Sequence, residues 1–162
     1  MSGTSVSDAR DARLAVVVLA AGQGTRMKSA HAKVLHRLGG KPLIRHVLDA
    51  CAPLGAAHAV VVVGHQAEKV EAACGGYGAA FALQREQRGT GHAVRVACEA
   101  RLGGFAGDVV IVYGDVPLLE TATLQRLLRR HREQGALLSL LTTVVDDPFG
   151  YGRIVRDGAG RL

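Results

Sequence analysis

A chain of 162 residues with 48% apolar side chains and few aromatics has the material for one domain with a real hydrophobic core, which excludes a disordered chain. Its formal net charge of +6 comes mostly from arginine, with lysine only at Lys28, Lys33, Lys41 and Lys69, and favours polyanionic partners: phosphorylated small molecules, nucleic acid or an acidic membrane surface. Cys51, Cys74 and Cys98 form no Cys-x-x-Cys pair and the histidines no ligand spacing, which argues against a disulfide framework or a zinc site and for reduced thiols in a cytoplasm.

Met1 to Arg13 reads as a polar, disordered leader. Arg10 and Arg13 before the apolar run Leu14 to Ala21 imitate a signal peptide, but the run is at the short limit of a signal core and far too short to span a bilayer. Leu14 to Lys33, LAVVVLAAGQGTRMKSAHAK, is instead a buried strand that breaks into a glycine-containing basic loop. After Val34 to Leu38, the turn Gly39-Gly40-Lys41-Pro42 hands over to a helix. Pro42 suits its first position, and Leu43, Ile44, Val47, Leu48 and Cys51 recur at helical spacing up to Pro53–Gly55.

His58 to Val63 is short and β-branched, hence a second buried strand. A helix follows from Gln66 to Cys74 and ends at Gly75-Gly76. Gly78 to Leu83 is a third strand, and Gln84 to His92 a polar loop in which Thr90 caps a helix running to Arg101. Asp108 to Tyr113, DVVIVY, gives a fourth strand that stops at Gly114-Asp115. Leu124, Leu127, Leu128 and His131 mark an amphipathic helix closed by Gly135, and Ala136 to Val145 is a further apolar strand. Arg153 to Arg156 reads as a strand, Asp157-Gly158 as a hairpin turn and Ala159 to Leu162 as the start of the returning strand, so residues 14–162 read as an incomplete domain.

Strands alternating with helices imply parallel pairing through crossover helices: an α/β fold with a Rossmann-like, doubly wound, mostly parallel sheet. Ligands of such sheets bind beyond the strands' carboxyl ends, where the loops after Leu19, Leu83 and Tyr113 converge. In the first, Gly22 and Gly24 let backbone N–H groups approach a phosphate, and Arg26 and Lys33 add full charges. Met27 breaks both the dinucleotide fingerprint and the P-loop, each of which needs glycine there. Asp115, directly after a strand, is placed to hold Mg²⁺ beside such a loop. Gln84 and Gln87 carry amides of the kind that read a base edge, and Gly89 and Gly91 around Thr90 allow close backbone approach at a helix start.

LAAGQGTRMKSAHAKVLH (Leu19 to His36) resembles the signature of sugar-phosphate nucleotidyltransferases. QREQRGTGHA (Gln84 to Ala93), YGDVPLL (Tyr113 to Leu119) and DPFGYGRI (Asp147 to Ile154) narrow the resemblance to the uridylyltransferase half of the bifunctional bacterial N-acetylglucosamine-1-phosphate uridyltransferases. The resemblance implies a nucleotide-diphospho-sugar transferase fold, truncated on its C-terminal side. It also implies Mg²⁺-dependent transfer of uridylyl from UTP to N-acetylglucosamine 1-phosphate, giving UDP-N-acetylglucosamine for the cell wall and pyrophosphate. On that pattern Leu19, Ala20, Ala21, Gly22, Gly24, Thr25, Gln84, Gly89 and Thr90 contact the nucleotide, with Gln87 a further contact to the base. Arg26 and Lys33 serve the triphosphate and the leaving pyrophosphate. Tyr113, Gly114, Asp115, Tyr151 and Gly152 lie on the substrate side, and Asp115 ligates the metal.

Two departures stand out: Ala32 replaces the usual proline before Lys33, and the pattern's sugar-binding Glu and Asn and its second metal-binding Asn lie beyond Leu162. No hexapeptide repeat of an acetyltransferase half is present in the chain. The expected partners are the two substrates, with no nucleic acid, no membrane and a monomeric or loosely associated state. The alternatives are a related enzyme such as a molybdopterin cytidylyltransferase, or a nucleotide-binding fragment without turnover.

Overall fold

The computed structural model describes residues 13–22, 24, 27 and 29–160. The leader at residues 1–12, Thr25 and Arg26, and the end of the returning strand at 161–162 lie outside the described residues. The chain divides into two compact units, Met1–Arg126 and Leu127–Leu162.

The first unit is built on the valine runs. Strand β1 (Leu14–Leu19) pairs in parallel on both sides, with β4 (His58–Val63) and with β6 (Asp108–Tyr113), and β5 (Ala80–Leu83) adds in parallel to β4. The order β5-β4-β1-β6 sets the chain stepping outward from β1 to β5 and then returning to the other side of β1. Because such crossovers are right-handed, the reversal puts α1 (Leu43–Cys51) and α2 (Ala67–Ala73) over one face and α3 (Thr90–Arg101) over the other. This doubly wound arrangement is the one expected from the alternation of strands and helices.

Burial follows from it. With both faces covered, consecutive residues of the central strands must all be apolar: Val16, Val17 and Val18 of β1 and Val60 to Val63 of β4 are at most 2% exposed. On the α3 face, Ala15, Val17, Val60, Val62 and Ala82 pack with Ala93, Ala97 and Leu102. Alanine at 93 and 97, one helical turn apart, lets α3 come close to the sheet. On β6, Val110 and Val112 are buried while Val109, Ile111 and Tyr113 are exposed.

The short elements correct the sequence reading in detail. Gly39 and Gly40, at φ +58° and +80°, make a two-residue hairpin between β2 (Arg37–Leu38) and β3 (Lys41–Pro42), the left-handed pair that such loops require. Pro42 therefore ends a strand and stands just before α1 instead of at its first turn. Gln66 precedes α2 in a left-handed conformation, and Thr90 is the first residue of α3, with Gly89 as its cap.

α4 (Thr121–Glu133) ends as the sequence indicates, at Gly135 with φ +57°: the Gly135 N–H donates to Arg132 O and the Ala136 N–H to His131 O, at 3.1 and 3.0 Å, the paired bonds of a Schellman motif. In the second unit the expected strands at Ala136–Val145 and Arg153–Arg156 do not form among the described residues. Their composition suits a strand, but no partner backbone supplies the ladder hydrogen bonds that define one, and Leu137 and Val144 are fully exposed. The turn at Asp157 does form, with Gly160 N–H donating to its carbonyl and Ala159 N–H to Oδ1, both at 2.9 Å.

Candidate active site

β1 and β6 are neighbours, in register from Leu14–Asp108 to Leu19–Tyr113, yet the chain leaves β1 through α1 on one face and reaches β6 through α3 on the other. A crevice opens at such a switch point, here as a cavity of ≈ 350 Å³, the size of a small-molecule site. Leu19, Ala20, Ala21, Gly22 and Gly24 line it from the end of β1, and Lys33 and Val34 from where that loop returns. Gln84, Gln87, Gly89, Thr90 and Ala93 come from the end of β5 and the start of α3, and Tyr113 and Asp115 from the end of β6.

Of the residues singled out in the sequence, the fold thus gathers twelve around one cavity, from Leu19 to Asp115. Gly114 is buried behind it: its N–H donates to Leu19 O at 2.9 Å, and a Cβ there would meet Leu19 O and Val34 Cγ1 at 3.2 Å, so glycine keeps the two strand ends together. Tyr151 and Gly152 belong to the second unit and are exposed in it. Val34 and Ala93 are lining residues that the sequence reading passed over, because apolar side chains in apolar patterns carry no chemical signal.

Among the described residues the cavity holds one ion pair, Lys33 Nζ to Asp115 Oδ2 at 2.6 Å, with the side chains 40% and 26% exposed. Gly24 makes room for it: at φ +66° it adopts a conformation that favours glycine, and a Cβ there would stand 2.8 Å from Lys33 Cβ. Opposite charge also enters through α3. Its cap Gly89, at φ 91° and ψ −178°, occupies a region open essentially to glycine alone, and no side chain caps the helix. The first N–H groups of a helix have no partner within it, so an uncapped start presents donors and a positive dipole end to an anion.

The two glutamines are already tied. Gln84, the one buried polar residue among those described, uses Nε2 toward Gly89 O at 3.2 Å and His92 Nδ1 at 3.0 Å. Gln87 Nε2 donates to Ala21 O at 2.8 Å, fastening the β5 loop to the end of β1. His92 was not singled out in the sequence, since its role exists only once α3 brings it beneath Gln84.

A second cleft lies off the sheet, between the β2–β3 hairpin, α1 and Tyr77. There Asp49 accepts from Lys41 and, at 2.5 Å, from the Tyr77 hydroxyl, and Arg45 stacks over the Tyr77 ring at 5.4 Å. Desolvation pushes the Asp49 carboxyl up, but the bonds from Lys41 and Tyr77 outweigh it and hold it below the usual carboxylate range. Cys51 and Cys74 are buried free thiols pushed up to about 11 by desolvation, which keeps them protonated and poorly nucleophilic at neutral pH.

A parallel doubly wound sheet with a glycine loop, a cation–carboxylate pair and an uncapped helix start around one cavity is the arrangement of an α/β domain suited to a phosphorylated ligand. Residues 16–155 match the MobA-like NTP transferase domain family, to which the chain belongs. Over 92% of its length it is similar to the bifunctional protein GlmU of Solibacter usitatus (51% identical) and of Chromohalobacter salexigens (56% identical), and it spans about a third, 32%, of the length of these curated relatives. Among solved structures it resembles a nucleotidyl transferase from Methanothermobacter thermautotroptrophicus with a TM-score of 0.63 at 27% identity, over 72% of this chain and 57% of that one. It also resembles Rv0371C from Mycobacterium tuberculosis H37Rv, solved in complex with manganese, with a TM-score of 0.61 at 26% identity over 75% of this chain and 60% of that one. The kinship expected from the four sequence motifs is borne out. Among the described residues no helix is long and apolar enough to cross a membrane.

Proposed function

We propose that the cavity binds UTP and that the chain carries the uridylyl transfer that its sequence resemblance implies, with N-acetylglucosamine 1-phosphate as acceptor. The observation that carries the reading is the Lys33–Asp115 pair in one cavity with the uncapped start of α3. A sugar-phosphate oxygen attacks the α-phosphorus of UTP in line, a P–O bond forms, and the bond to the β-phosphate breaks to release pyrophosphate. Such a reaction needs positioning and neutralisation of charge more than covalent participation. The donors of α3 and the glycine loop bind phosphate oxygens, and Lys33 moves from Asp115 to the triphosphate as it enters. Arg26, Thr25, Tyr151 and Gly152 keep the roles that the resemblance implies.

Asp115 is a single hard-oxygen donor, and among the described residues no group of three metal-ligating side chains gathers. One carboxylate beside a phosphate site fits Mg²⁺, which takes its remaining oxygens from phosphates and water. Bound there, the ion would supply neutralisation of phosphate charge, and the manganese complex of Rv0371C supports a divalent cation. With the Nε2 groups of Gln84 and Gln87 engaged inside the protein, their amide oxygens remain to meet a base. Such acceptors suit the N3–H of uracil and oppose the N3 lone pair of cytosine.

Calorimetric titration with UTP and CTP in Mg²⁺, followed by a pyrophosphate-release assay with N-acetylglucosamine 1-phosphate, tests the reading. UTP binding, with release that disappears in Asp115→Ala, supports it. UTP binding without release in any condition leaves a binding module, equal affinity for CTP removes the uridine assignment, and no nucleotide binding at all overturns the proposal.

A further inference from the structure

The turn between β4 and α2 lies outside the cavity, yet it touches the loop after β1 at both ends. Gly64 abuts the loop's start: a Cβ there would stand 2.9 Å from Ala21 O and 3.0 Å from Ala21 Cβ. Gln66 grips the loop's end, 34 and 36 residues away in sequence. Its Nε2 donates to Ala30 O at 2.6 Å, and its Oε1 accepts the Ala32 N–H at 3.0 Å. Gln66 is also the one non-glycine residue with positive φ among those described, at φ 55° and ψ 40°. A side chain bearing Cβ disfavours that conformation, and strain of this kind persists where the surroundings over-determine it and often serves a site.

We propose that Gln66 is a positioning residue for Lys33. Its amide closes on the backbone at Ala30 and Ala32 and so fixes the residue that follows, whose ammonium meets Asp115. Ala32 is fully buried and passes the constraint on, its carbonyl accepting the Leu35 N–H of the 3-10 turn Lys33–Leu35 at 2.9 Å. Ala32 sits at φ −54° and ψ 137°, a backbone that proline would adopt unstrained. Proline at this position would fix φ but remove the N–H that Gln66 accepts. The glutamine clamp and a proline are thus two ways of stiffening one approach to Lys33, and this chain uses the clamp. The inference rests on Lys33 serving the triphosphate, as proposed above.

The test uses the full chain, with backbone amide exchange and Mg²⁺–UTP affinity read in parallel. Gln66→Gly keeps the left-handed turn and deletes the clamp; Gln66→Glu keeps the acceptor for Ala32 N–H and loses the donor to Ala30. Gln66→Gly is expected to speed exchange at Ala32 by about tenfold or more and to weaken UTP by about tenfold, as losing a supporting hydrogen-bond partner does at comparable sites. Gln66→Glu should fall between. Adding Ala32→Pro to Gln66→Gly should restore UTP affinity, a rescue that a general loss of stability would not show. Unchanged protection at Ala32 in Gln66→Gly overturns the clamp, and faster exchange with unaltered UTP affinity overturns the positioning role. If the wild type binds no UTP, the proposed function falls, while exchange at Ala32 still decides the clamp.

Discussion

Two lysine–aspartate pairs occur among the described residues of the first unit, and they differ in what else holds the carboxylate. Asp49 accepts from Lys41 and from the Tyr77 hydroxyl, in a cleft where Arg45 is stacked on the same tyrosine. Asp115 has Lys33 alone as its ion-pair partner among the described residues, at the end of a central strand and in one cavity with a glycine loop and a helix start. The first pair is closed, each charge consumed by a neighbour. On the proposed function the second is exchangeable: an entering phosphate takes Lys33 and leaves Asp115 free for a cation. A cation–carboxylate contact marks a site where the surrounding backbone offers further donors and the pair itself can open.

The sharpest way to break this comparison is to remove each aspartate in turn. Asp115→Ala is expected to abolish metal-dependent UTP binding and to lower turnover by about 10²–10³-fold, the scale of losing one preorganised charge-stabilising group. Asp49→Ala should leave both unchanged. Steady-state pyrophosphate release and calorimetry read the two variants side by side.

Next in size is the backbone that frames the open pair. Gly89→Ala forces a side chain into a conformation essentially restricted to glycine and is expected to cost about 1–3 kcal/mol of stability while weakening UTP. Urea unfolding and nucleotide titration measure the two effects. Gly24→Ala brings a Cβ to 2.8 Å from Lys33 Cβ, so it should weaken UTP by displacing the lysine.

The smallest effect belongs to the closed pair. Asp49→Ala is expected to cost at most about 1 kcal/mol, as partly exposed ion pairs do. The carboxyl of Asp49 lies lower in the folded chain than its ordinary value, so its stabilising contribution is complete above the ordinary carboxylate range and vanishes as pH falls through the lowered folded value. The stability difference between wild type and Asp49→Ala, measured by urea unfolding, should therefore shrink from pH 7 to pH 3.

Much of the fold was legible because it depends on local pattern. The valine runs at Val16–Val18 and Val60–Val63 announce strands buried on both faces, and α3 runs to Arg101 as expected, though it begins at Thr90 with Gly89 as its cap. The apolar stretch from Ala136 to Val145 shows the limit of that logic, since a strand is made by its partner as much as by its composition. The site was legible as a convergence of three loops, but not in its internal bonds. Nothing local tells that Gln87 reaches Ala21, that Gln84 leans on His92, or that a glutamine at 66 takes a left-handed turn to hold Ala30 and Ala32. The contacts of Gln87 and Gln66 join residues 34 to 66 apart in sequence and are created by the sheet order, while that of Gln84 depends on how the loop into α3 folds.

The most direct measurement of the central claim is a backbone amide chemical-shift map of the chain titrated with Mg²⁺–UTP. The account expects the largest shifts at Gly22, Gly24, Lys33, Gly89, Thr90 and Gly114, around the open Lys33–Asp115 pair, with the cleft at Lys41, Asp49 and Tyr77 silent. Shifts centred on that second cleft, or none at the ends of β1 and β6, would contradict it.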